Sequence, residues 1–378
     1  MRESKSKTNI TTATANDKVL VINAGSSTFK CALFERGDDA KDPVLIWSGS
    51  VDYIQNQAEK TLKSLLQPIL KHSLNCIGHR VVHGGELFTE PTPITPKVFQ
   101  QLKKISELAP LHNPSNLLGI ELTQNLFPSI PQLAVFDTAF HKTLPESAST
   151  YPLPLKWKKE GIRRYGFHGI SHAYCLEKCA EILGKKAPSL NLITCHLGNG
   201  CSLTAIRKGK SVDTTMGFTP LEGLMMGSRC GSIDPGILLH KSRQGTSYKD
   251  LESILNKKSG FEGICGTNDL RKILKLQTEE AALALEMFRL NHLRHFGAML
   301  ASLDRLDGVV FTGGIGENSP WIRTETTKAF PWLGMKIHPS LNKKSPPDHI
   351  ISSNTSKVPV LLIHAREDWV IARFCLEF

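Results

Sequence analysis

The 378-residue sequence has no two cysteines in a C-x-x-C arrangement, and its nine cysteines are scattered along the chain. Cys175 and Cys179 are four residues apart, a spacing that on a helix favours packing over zinc binding. The pattern therefore disfavours a disulfide-rich secreted fold and a zinc module. It predicts a protein of the reducing cytoplasm.

The sequence also lacks a run of about eighteen apolar residues, the minimum for a membrane-spanning helix. Its polar N-terminal segment has no apolar region of the kind that a secretory signal needs. We expect no membrane association and a disordered polar tail over residues 1–17.

A block of like charge is missing as well, although the formal net charge is +11. Lysines and arginines are spread along the chain without interleaved aromatic residues, so nucleic acid is not a predicted partner. The charge instead favours a small anionic substrate. The length is sufficient for two domains.

The most informative stretch is N-L-I-T-C-H-L-G-N-G-C-S-L-T-A at residues 191–205, which is typical of a strand, a tight polar turn and a strand. Gly198, Asn199 and Gly200 would allow positive φ in the turn. Backbone N–H groups there could bind an anion, with His196 and Ser202 supplying further donors. A phosphate-binding turn and an ordinary β-hairpin both fit this pattern.

The same pattern occurs near the N-terminus, as V-L-V-I-N-A-G-S-S-T-F-K-C-A-L at residues 19–33. Asn23 stands where His196 stands in the other hairpin, and Lys30 adds a cation on the outgoing strand. Two such hairpins predict a duplicated domain with one phosphate turn in each half, facing each other across a cleft.

Two charged residues lie in otherwise apolar strands. Arg80 is flanked by Ile77, Val81 and Val82. The stretch at residues 132–141 predicts an apolar strand that ends in Asp137. Burying a guanidinium without a partner is costly, so Arg80 is either an anion ligand or the partner of a structural carboxylate. Asp137 stands where open α/β sheets commonly place a catalytic or metal-binding carboxylate.

The second half carries further candidate loops. His168 lies between two glycines before a helix that Ser171 could cap, and Arg229 lies in a long Gly-rich connection at residues 219–236. Glycines at residues 313–318, between a strand and a helix, would suit a nucleotide, although the stretch is neither a Walker A motif nor a full G-x-G-x-x-G. A last strand is predicted to end at Glu367 and Asp368, which are metal candidates.

Taken together, these stretches closely resemble the acetate kinase family. The matching motifs, which run from about residue 18 to 375, are N-A-G-S-S-T-F-K, G-H-R-V-V-H-G-G-E, L-A-P-L-H-N-P, V-F-D-T-A-F-H, R-Y-G-F-H-G-I-S-H, H-L-G-N-G-C-S, L-E-G-L-M-M-G-S-R and F-T-G-G-I-G-E-N-S. The resemblance implies an α/β fold of duplicated ribonuclease H-like (actin-like ATPase) domains with a cleft between them. It implies a domain at 18–150, against which helix 368–378 packs, and a nucleotide-binding domain at 151–367.

The activity implied by the resemblance is transfer of the ATP γ-phosphoryl group to acetate, giving acetyl phosphate and ADP. The implied cofactor is Mg²⁺, which Mn²⁺ could replace, and the implied assembly is a homodimer. A carboxylate is already a nucleophile, so the transfer needs alignment and charge neutralisation rather than a general base. Asp137 is therefore assigned to positioning and metal binding, and forked guanidinium groups suit the clamping of two anions.

Carried over by position, the resemblance assigns a role to each matching residue. The catalytic set is Asp137, Arg80, Arg229 and His168, of which His168 and Arg229 would stabilise the transition state. Arg80, Val82, Leu111, Phe167 and Pro220 would bind the substrate. Asn23, Ser26, Thr28, Lys30, His196, Leu197, Gly198, Asn199, Gly200, Asp269, Leu270, Arg271, Gly313, Gly314, Ile315, Gly316, Glu317 and Asn318 would bind ATP. Asn23 and Glu367 would hold the metal.

Two positions depart from the family pattern. Ser232 replaces an acid, and Arg366 replaces an asparagine before Glu367. Three alternatives stay open from the sequence: a propionate kinase with the same arginines, an actin-like or chaperone-like ATPase switch, and a catalytically silent binding module.

Overall fold

The structure is a computed structural model that describes residues 17–37 and 42–378. The predicted polar tail lies outside the described residues, apart from Asp17. No helix in the described ranges has both the length and the apolar character needed to cross a membrane.

The described chain forms two six-stranded sheets. The first contains β1 (Lys18–Ala24), β2 (Thr28–Arg36), β3 (Pro43–Asp52), β4 (Cys76–Val81), β5 (Thr92–Pro93) and β6 (Gln132–Phe136). The second contains β7 (Leu192–Leu197), β8 (Cys201–Arg207), β9 (Lys210–Thr214), β10 (Gly308–Thr312), β11 (His349–Ile350) and β12 (Val360–Leu362).

Both sheets have the same topology. The first has the order β3-β2-β1-β4-β6-β5, and the second, taken from the corresponding edge, has the order β9-β8-β7-β10-β12-β11. In each sheet the first three strands form an antiparallel meander, the next two are parallel to its last strand, and the outermost strand is antiparallel. The predicted duplicated α/β fold is confirmed.

Fifteen α-helices lie in the described ranges. They are α1 (Ala58–Leu65), α2 (Pro96–Ile105), α3 (Asn113–Leu126), α4 (Glu146–Ser149), α5 (Leu155–Lys159), α6 (Gly169–Ile182), α7 (Pro235–Arg243), α8 (Tyr248–Lys257), α9 (Gly260–Cys265), α10 (Leu270–Ile273), α11 (Glu279–Ala301), α12 (Gly313–Asn318), α13 (Pro320–Ala329), α14 (Pro339–Lys343) and α15 (Glu367–Glu377). Short 3₁₀ turns occupy Gln55–Gln57, Ser106–Leu108, Ala139–Thr143, Ala187–Ser189 and Pro331–Leu333.

Helices α6 and α15 connect the two sheets through a shared core. One cluster of buried residues contains Val19 of the first sheet, Val310 of the second, Cys175 of α6 and Ile371 of α15. Helix α15 also packs closely on β4, where a Cβ at Gly78 would lie only 2.5 Å from the Ile371 side chain. The C-terminal helix therefore lies against the first sheet, although the chain enters it from the second.

Two local predictions are wrong. The last strand ends at Leu362, and Glu367 and Asp368 lie in the first turn of α15, where the helix dipole favours carboxylates. Ser171 does not cap α6: the N-cap residue is His168, and the Ser171 hydroxyl lies 2.8 Å from Nδ1 of His196. The hydroxyl thus bonds a side chain of the neighbouring sheet instead of its own helix terminus.

Candidate active site

The predicted catalytic residues come together where the two sheets meet. Arg80 near the end of β4 and Asp137 just after β6 belong to the first sheet, and His196 lies on β7 of the second. Burial, and after it the positive charge of Arg80, lowers the pKa of His196 to about 4, while Asp137 opposes this shift. Groups from both halves therefore lie within electrostatic reach of one another.

Arg80 and Asp137 form a forked ion pair. Nε of Arg80 donates to Oδ1 of Asp137 at 3.0 Å, and Nη2 donates to Oδ2 at 2.5 Å. Burial opposes the charge on Arg80, but the carboxylates of Asp137 and Glu367 hold its pKa above the ordinary value. Although burial raises the pKa of Asp137, both its oxygens accept hydrogen bonds from Arg80, so we assign it as ionised. The alternative in which Arg80 pairs with a carboxylate is thus realised, while its Nη1 reaches only Asn23 Oδ1, at 3.4 Å.

Arg229 differs from Arg80 in having no carboxylate partner among the described residues. Its Nη1 donates to the carbonyl oxygen of Pro220 at 3.1 Å, and burial lowers its pKa. The loop that carries it is fixed by hydrogen bonds from Gly227 N to the Asn199 carbonyl at 3.0 Å and from Met226 N to the Arg229 carbonyl at 3.1 Å. A half-buried cation without a counterion is a ready anion ligand.

The β7–β8 turn differs from prediction in its backbone. None of Gly198, Asn199 and Gly200 has positive φ, and the turn closes with a hydrogen bond from Gly198 N to the Gly200 carbonyl at 2.9 Å. Glycine matters here for space: a Cβ at Gly200 would lie 3.4 Å from Arg229 Nη1 and 3.5 Å from His168 Nε2. The turn, the arginine and the histidine therefore border one small volume.

His168 faces that volume in a strained conformation. Its φ is 55°, a left-handed value that non-glycine residues seldom adopt outside functional sites. The ring stacks on His196 with centroids 4.2 Å apart, and its Nδ1 lies 2.8 Å from Ser202 Oγ. Burial, followed by the charges of His196 and Arg80, lowers the pKa of His168 well below its ordinary value. His168 is therefore neutral at pH 7.

The first hairpin presents a more exposed turn. Ser26 and Lys30 are exposed, whereas the Thr28 hydroxyl donates to Asp52 Oδ1 at 2.6 Å. The turn closes through a hydrogen bond from Gly25 N to the Thr28 carbonyl at 2.9 Å. Burial raises the pKa of Asp368, and the positive charge of Lys30 partly opposes this shift. The turn therefore lies near the start of α15, where Asp368 is located.

A cavity of about 680 Å³ brings together residues from three separate parts of the second half. The predicted nucleotide residues that line it are Gly198, Asn199, Asp269, Leu270, Arg271, Gly314, Ile315 and Asn318. Asn268, Leu274 and Ser319 also line it and were not predicted.

Four other predicted nucleotide residues make contacts inside the protein. Leu197 is fully buried, and Gly313, with φ of 77°, packs so tightly on it that a Cβ would lie 2.8 Å from the Leu197 carbonyl oxygen. The Gly316 carbonyl accepts from Arg323 Nη1 at 2.6 Å. Glu317 Oε1 accepts from the backbone N–H groups of Gly313 and Ala365, each at 3.0 Å. These residues do not line the cavity themselves, but their contacts fix the backbone next to the residues that do.

The four apolar residues that were predicted to bind the substrate divide into two pairs. Leu111 and Pro220 line an apolar cavity of about 290 Å³, whereas Val82 and Phe167 belong to the buried core around the second hairpin. His112 also lines the cavity, and burial together with the charges of Arg229 and Arg80 lowers its pKa to about 3. His112, on the wall of this cavity, therefore lies within electrostatic reach of both arginines.

The metal candidates have mixed support. Oε1 of Glu367 is buried without a hydrogen-bond partner, and the charge of Glu367 acts on both Asp137 and Arg80. A buried carboxylate oxygen without a hydrogen-bond partner is a suitable ligand for a cation. In residues 17–37 and 42–378 no group of three or more His, Cys, Asp and Glu side chains could hold a metal. A hard cation bound here would take most of its ligands from phosphates and water.

The two departures from the family pattern have local explanations. Ser232 Oγ accepts from Gly223 N at 3.1 Å, and the Ser232 N–H donates back to the Gly223 carbonyl at 2.9 Å, so the serine closes the Arg229 loop. Arg366 Nη2 pairs with Asp348 Oδ2 at 2.9 Å. The added cation is therefore compensated locally.

Two arginines that support the site were missed. Arg164 donates to the carbonyl oxygens of residues 214–216 and to Glu222 Oε1, and Arg323, 2% exposed, donates to the Gly316, Glu317 and Asn342 carbonyls. Arg164 opens the motif R-Y-G-F-H-G-I-S-H, and Arg323 lies in none of the matching motifs, but neither stands in an apolar run like that of Arg80 that would have singled it out. They fix the loops on which the predicted residues stand.

Comparisons with known proteins show the family of the chain. Residues 56–373 match the model of the acetokinase family. The chain is 46% identical to an acetate kinase of Synechococcus sp. over 94% of this chain and 98% of that protein. Its structure is similar to that of an acetate kinase from Porphyromonas gingivalis, with a TM-score of 0.86, 35% identity and coverage of 96% and 99%. It is also similar to a propionate kinase from Francisella tularensis, with a TM-score of 0.84, 38% identity and coverage of 94% and 98%. With its duplicated sheets, its paired and unpaired arginines and its Gly-rich turns, the chain belongs to the acetokinase family.

Proposed function

We propose that this protein is an acetate kinase, which transfers the γ-phosphoryl group of ATP to acetate and gives acetyl phosphate and ADP. The observation that carries the proposal is the position of Arg229. This half-buried guanidinium lacks a carboxylate partner among the described residues, and it lies beside the Gly200 turn and the apolar cavity at Pro220. An anion placed there would satisfy it.

In the proposed mechanism the second half of the chain binds the nucleotide. The adenosine occupies the cavity of about 680 Å³ beside α12, and the phosphates run along the Gly198–Gly200 turn toward Arg229. The first hairpin, through Ser26 and Lys30, contacts the polyphosphate from the opposite half. Glycines in the turns of both hairpins and at residues 313–318 let the backbone approach the nucleotide closely.

Acetate occupies the mouth of the apolar cavity, with its methyl group against Leu111 and Pro220 and its carboxylate between the two arginines. Arg80 is held by Asp137, whereas Arg229, whose Nη1 donates to the Pro220 carbonyl, has no carboxylate partner among the described residues and keeps its charge for the transferring phosphoryl group. Neutral His168, whose Nε2 faces the same volume, donates a hydrogen bond to the transferring group. Charge neutralisation and alignment account for the catalysis, and no proton is abstracted from acetate.

We assign Mg²⁺ as the metal, with Glu367 and Asn23 on its protein side. The buried, unpartnered Oε1 of Glu367 supports this assignment. When bound, the ion would neutralise charge on the β- and γ-phosphate oxygens. Mn²⁺, which accepts the same oxygen ligands, should substitute.

Acetate is the proposed substrate rather than propionate because acetate kinases are the relatives at 46% identity, whereas the similar propionate kinase is 38% identical. The test is kcat/KM for both acids, measured by trapping the acyl phosphate as a hydroxamate. Carboxylate-dependent ADP release would support the kinase. Hydrolysis of ATP at the same rate without any carboxylate would instead support an ATPase switch, and a clear preference for propionate would overturn the acetate assignment.

The assembly and domain boundaries are also proposals. We infer a homodimer of the cytoplasm, with domains at 18–150 and 151–367. The dimer is supported by the apolar surface exposed on and around α7, at Ile233, Ile237, Leu239 and Tyr248. Analytical ultracentrifugation that shows a monomer at micromolar concentration would contradict the dimer.

A further inference from the structure

The second sheet and α6 contain a chain of hydrogen-bonding side chains that leads to the candidate active site. Thr194 Oγ1 lies 2.7 Å from His172 Nδ1, His172 Nε2 lies 2.8 Å from Ser202 Oγ, and Ser202 Oγ lies 2.8 Å from His168 Nδ1. Thr194, His172 and Ser202 are fully buried. Only His168, the last member, borders the volume beside Gly200 and Arg229.

We propose that Thr194, His172 and Ser202 are positioning residues that hold neutral His168 in the tautomer with hydrogen on Nε2. In this state the Nε2–H of His168 points at the transferring phosphoryl group as a donor. The inference rests on the proposed function only in the identity of that group. The preference for one tautomer is a property of the free protein.

The direction of the chain follows from counting protons. A neutral imidazole has one N–H, and a hydroxyl has one O–H. If Thr194 donates to His172 Nδ1, then His172 Nε2–H donates to Ser202, and Ser202 donates to His168 Nδ1. Every buried proton then has an acceptor, and the remaining proton of His168 is on Nε2.

The opposite direction leaves a buried group unsatisfied. His168 Nδ1–H would donate to Ser202, Ser202 to His172 Nε2, and His172 Nδ1–H to Thr194. The Thr194 hydroxyl has no second hydrogen-bond partner among the residues that the structure describes, so its own proton would be without an acceptor. An unsatisfied buried donor is costly, and this penalty selects the first direction.

The selected direction matters for catalysis because a neutral histidine can face an oxyanion in two ways. With hydrogen on Nε2 it donates to the developing charge. With a lone pair on Nε2 it repels that charge. A wrong histidine tautomer abolishes most of the activity in serine proteases, although the geometry there is unchanged.

The direct test is long-range ¹H–¹⁵N NMR of ¹⁵N-histidine-labelled protein without substrate, with His168 signals assigned by their loss in His168→Gln. Protonated Nε2 on both His168 and His172 is the expected result. Protonated Nδ1 on His168 would overturn the proposal. Because the measurement needs no turnover, an inactive protein with the expected tautomer would remove the proposed function and leave this inference intact.

The second test uses Thr194→Val, which removes only the far hydroxyl and touches no substrate. We expect kcat to fall by about ten-fold or more, in the range found for outer-shell partners of catalytic groups, with KM for ATP and acetate unchanged. The His168 NMR signals should shift toward the Nδ1–H form. Thr194→Ser, which keeps the hydroxyl, should restore kcat and the tautomer.

The matched control is Thr204→Val. Thr204 is the fully buried cross-strand partner of Thr194, but its hydroxyl pairs with Thr214 at 2.9 Å, outside the chain. It should keep kcat within about two-fold, since it removes no hydrogen bond of the chain. Equal losses in Thr194→Val and Thr204→Val, or an unchanged tautomer in Thr194→Val, would show that the chain does not orient His168.

Discussion

Substitutions of the two candidate arginines should affect stability differently, although we expect both to lower turnover. Arg80 neutralises a fully buried carboxylate, whereas Arg229 has no carboxylate partner in the described part of the chain. Removing one member of a buried ion pair leaves an uncompensated charge and costs about 3–5 kcal/mol. Arg80→Ala should therefore lower the unfolding free energy by that amount. Arg229→Ala should leave it unchanged or raise it slightly, because a desolvated cation is removed.

Turnover should fall on the order of 10³-fold in both variants, the lower part of the range for arginines that stabilise phosphoryl transfer. Arg229→Lys should show an intermediate loss, since an ammonium keeps the charge but cannot make the forked contact. The double variant Arg80→Ala/Asp137→Ala removes both charges. It should recover much of the lost stability and none of the activity.

The assays are hydroxamate trapping of acetyl phosphate for turnover and urea unfolding followed by tryptophan fluorescence for stability. Unfolding is best measured near pH 8, where proton uptake by Asp137 relieves less of the penalty than it would at lower pH. Near-normal turnover of Arg229→Ala would remove this residue from the mechanism. Equal destabilisation by the two single variants would refute the contrast between a paired and an unpaired arginine.

Three further predictions concern the metal, the nucleotide cavity and pH. Glu367→Gln should raise the Mg²⁺ concentration that gives half-maximal activity by about ten-fold, measured at fixed ATP; an unchanged requirement would place the metal elsewhere. Gly313→Ala should destabilise the protein by about 1–3 kcal/mol in urea unfolding and raise KM for ATP, because its Cβ would lie 2.8 Å from the Leu197 carbonyl at φ of 77°. Burial lowers the pKa of His79 to about 4 and that of His292 to about 3. Between about pH 6.5 and pH 4 the two histidines therefore take up protons in the unfolded chain but not in the folded protein. The free energy of unfolding should accordingly fall as the pH is lowered through this range. His79→Gln should lessen that fall in urea unfolding, and an identical pH dependence would contradict the assignment.

The two β-hairpins could be predicted because their signal is local. An apolar run, a turn of small residues and a second apolar run fix strand boundaries within a few positions, as at Leu192–Leu197 and Cys201–Arg207. The backbone of the turn could not be predicted in the same way. Gly200 is needed for the space occupied by His168 and Arg229, and those neighbours are distant in sequence.

The partners of Arg80 and His168 could not be predicted from the sequence either. Asp137 is 57 residues from Arg80, and Ser202 is 34 residues from His168. Only strand order places them together, and strand order is set by the whole sheet rather than by either motif. The sequence could therefore nominate Arg80 without deciding whether it was paired, and could nominate His168 without showing what orients it.

The shared topology of the two sheets explains how one fold can present two unlike ligands to each other. Strands β4 and β10 occupy equivalent places, and both end at the candidate site. Near the end of β4 the chain supplies Arg80, which bonds Asp137 after β6, whereas after β10 it supplies Gly313 at the start of α12. The end of β4 thus supplies a guanidinium group, and the end of β10 supplies a glycine that packs against Leu197 beside the predicted nucleotide cavity. Because His196 lies within electrostatic reach of Arg80 and Asp137, we infer that transfer takes place between these equivalent strand ends.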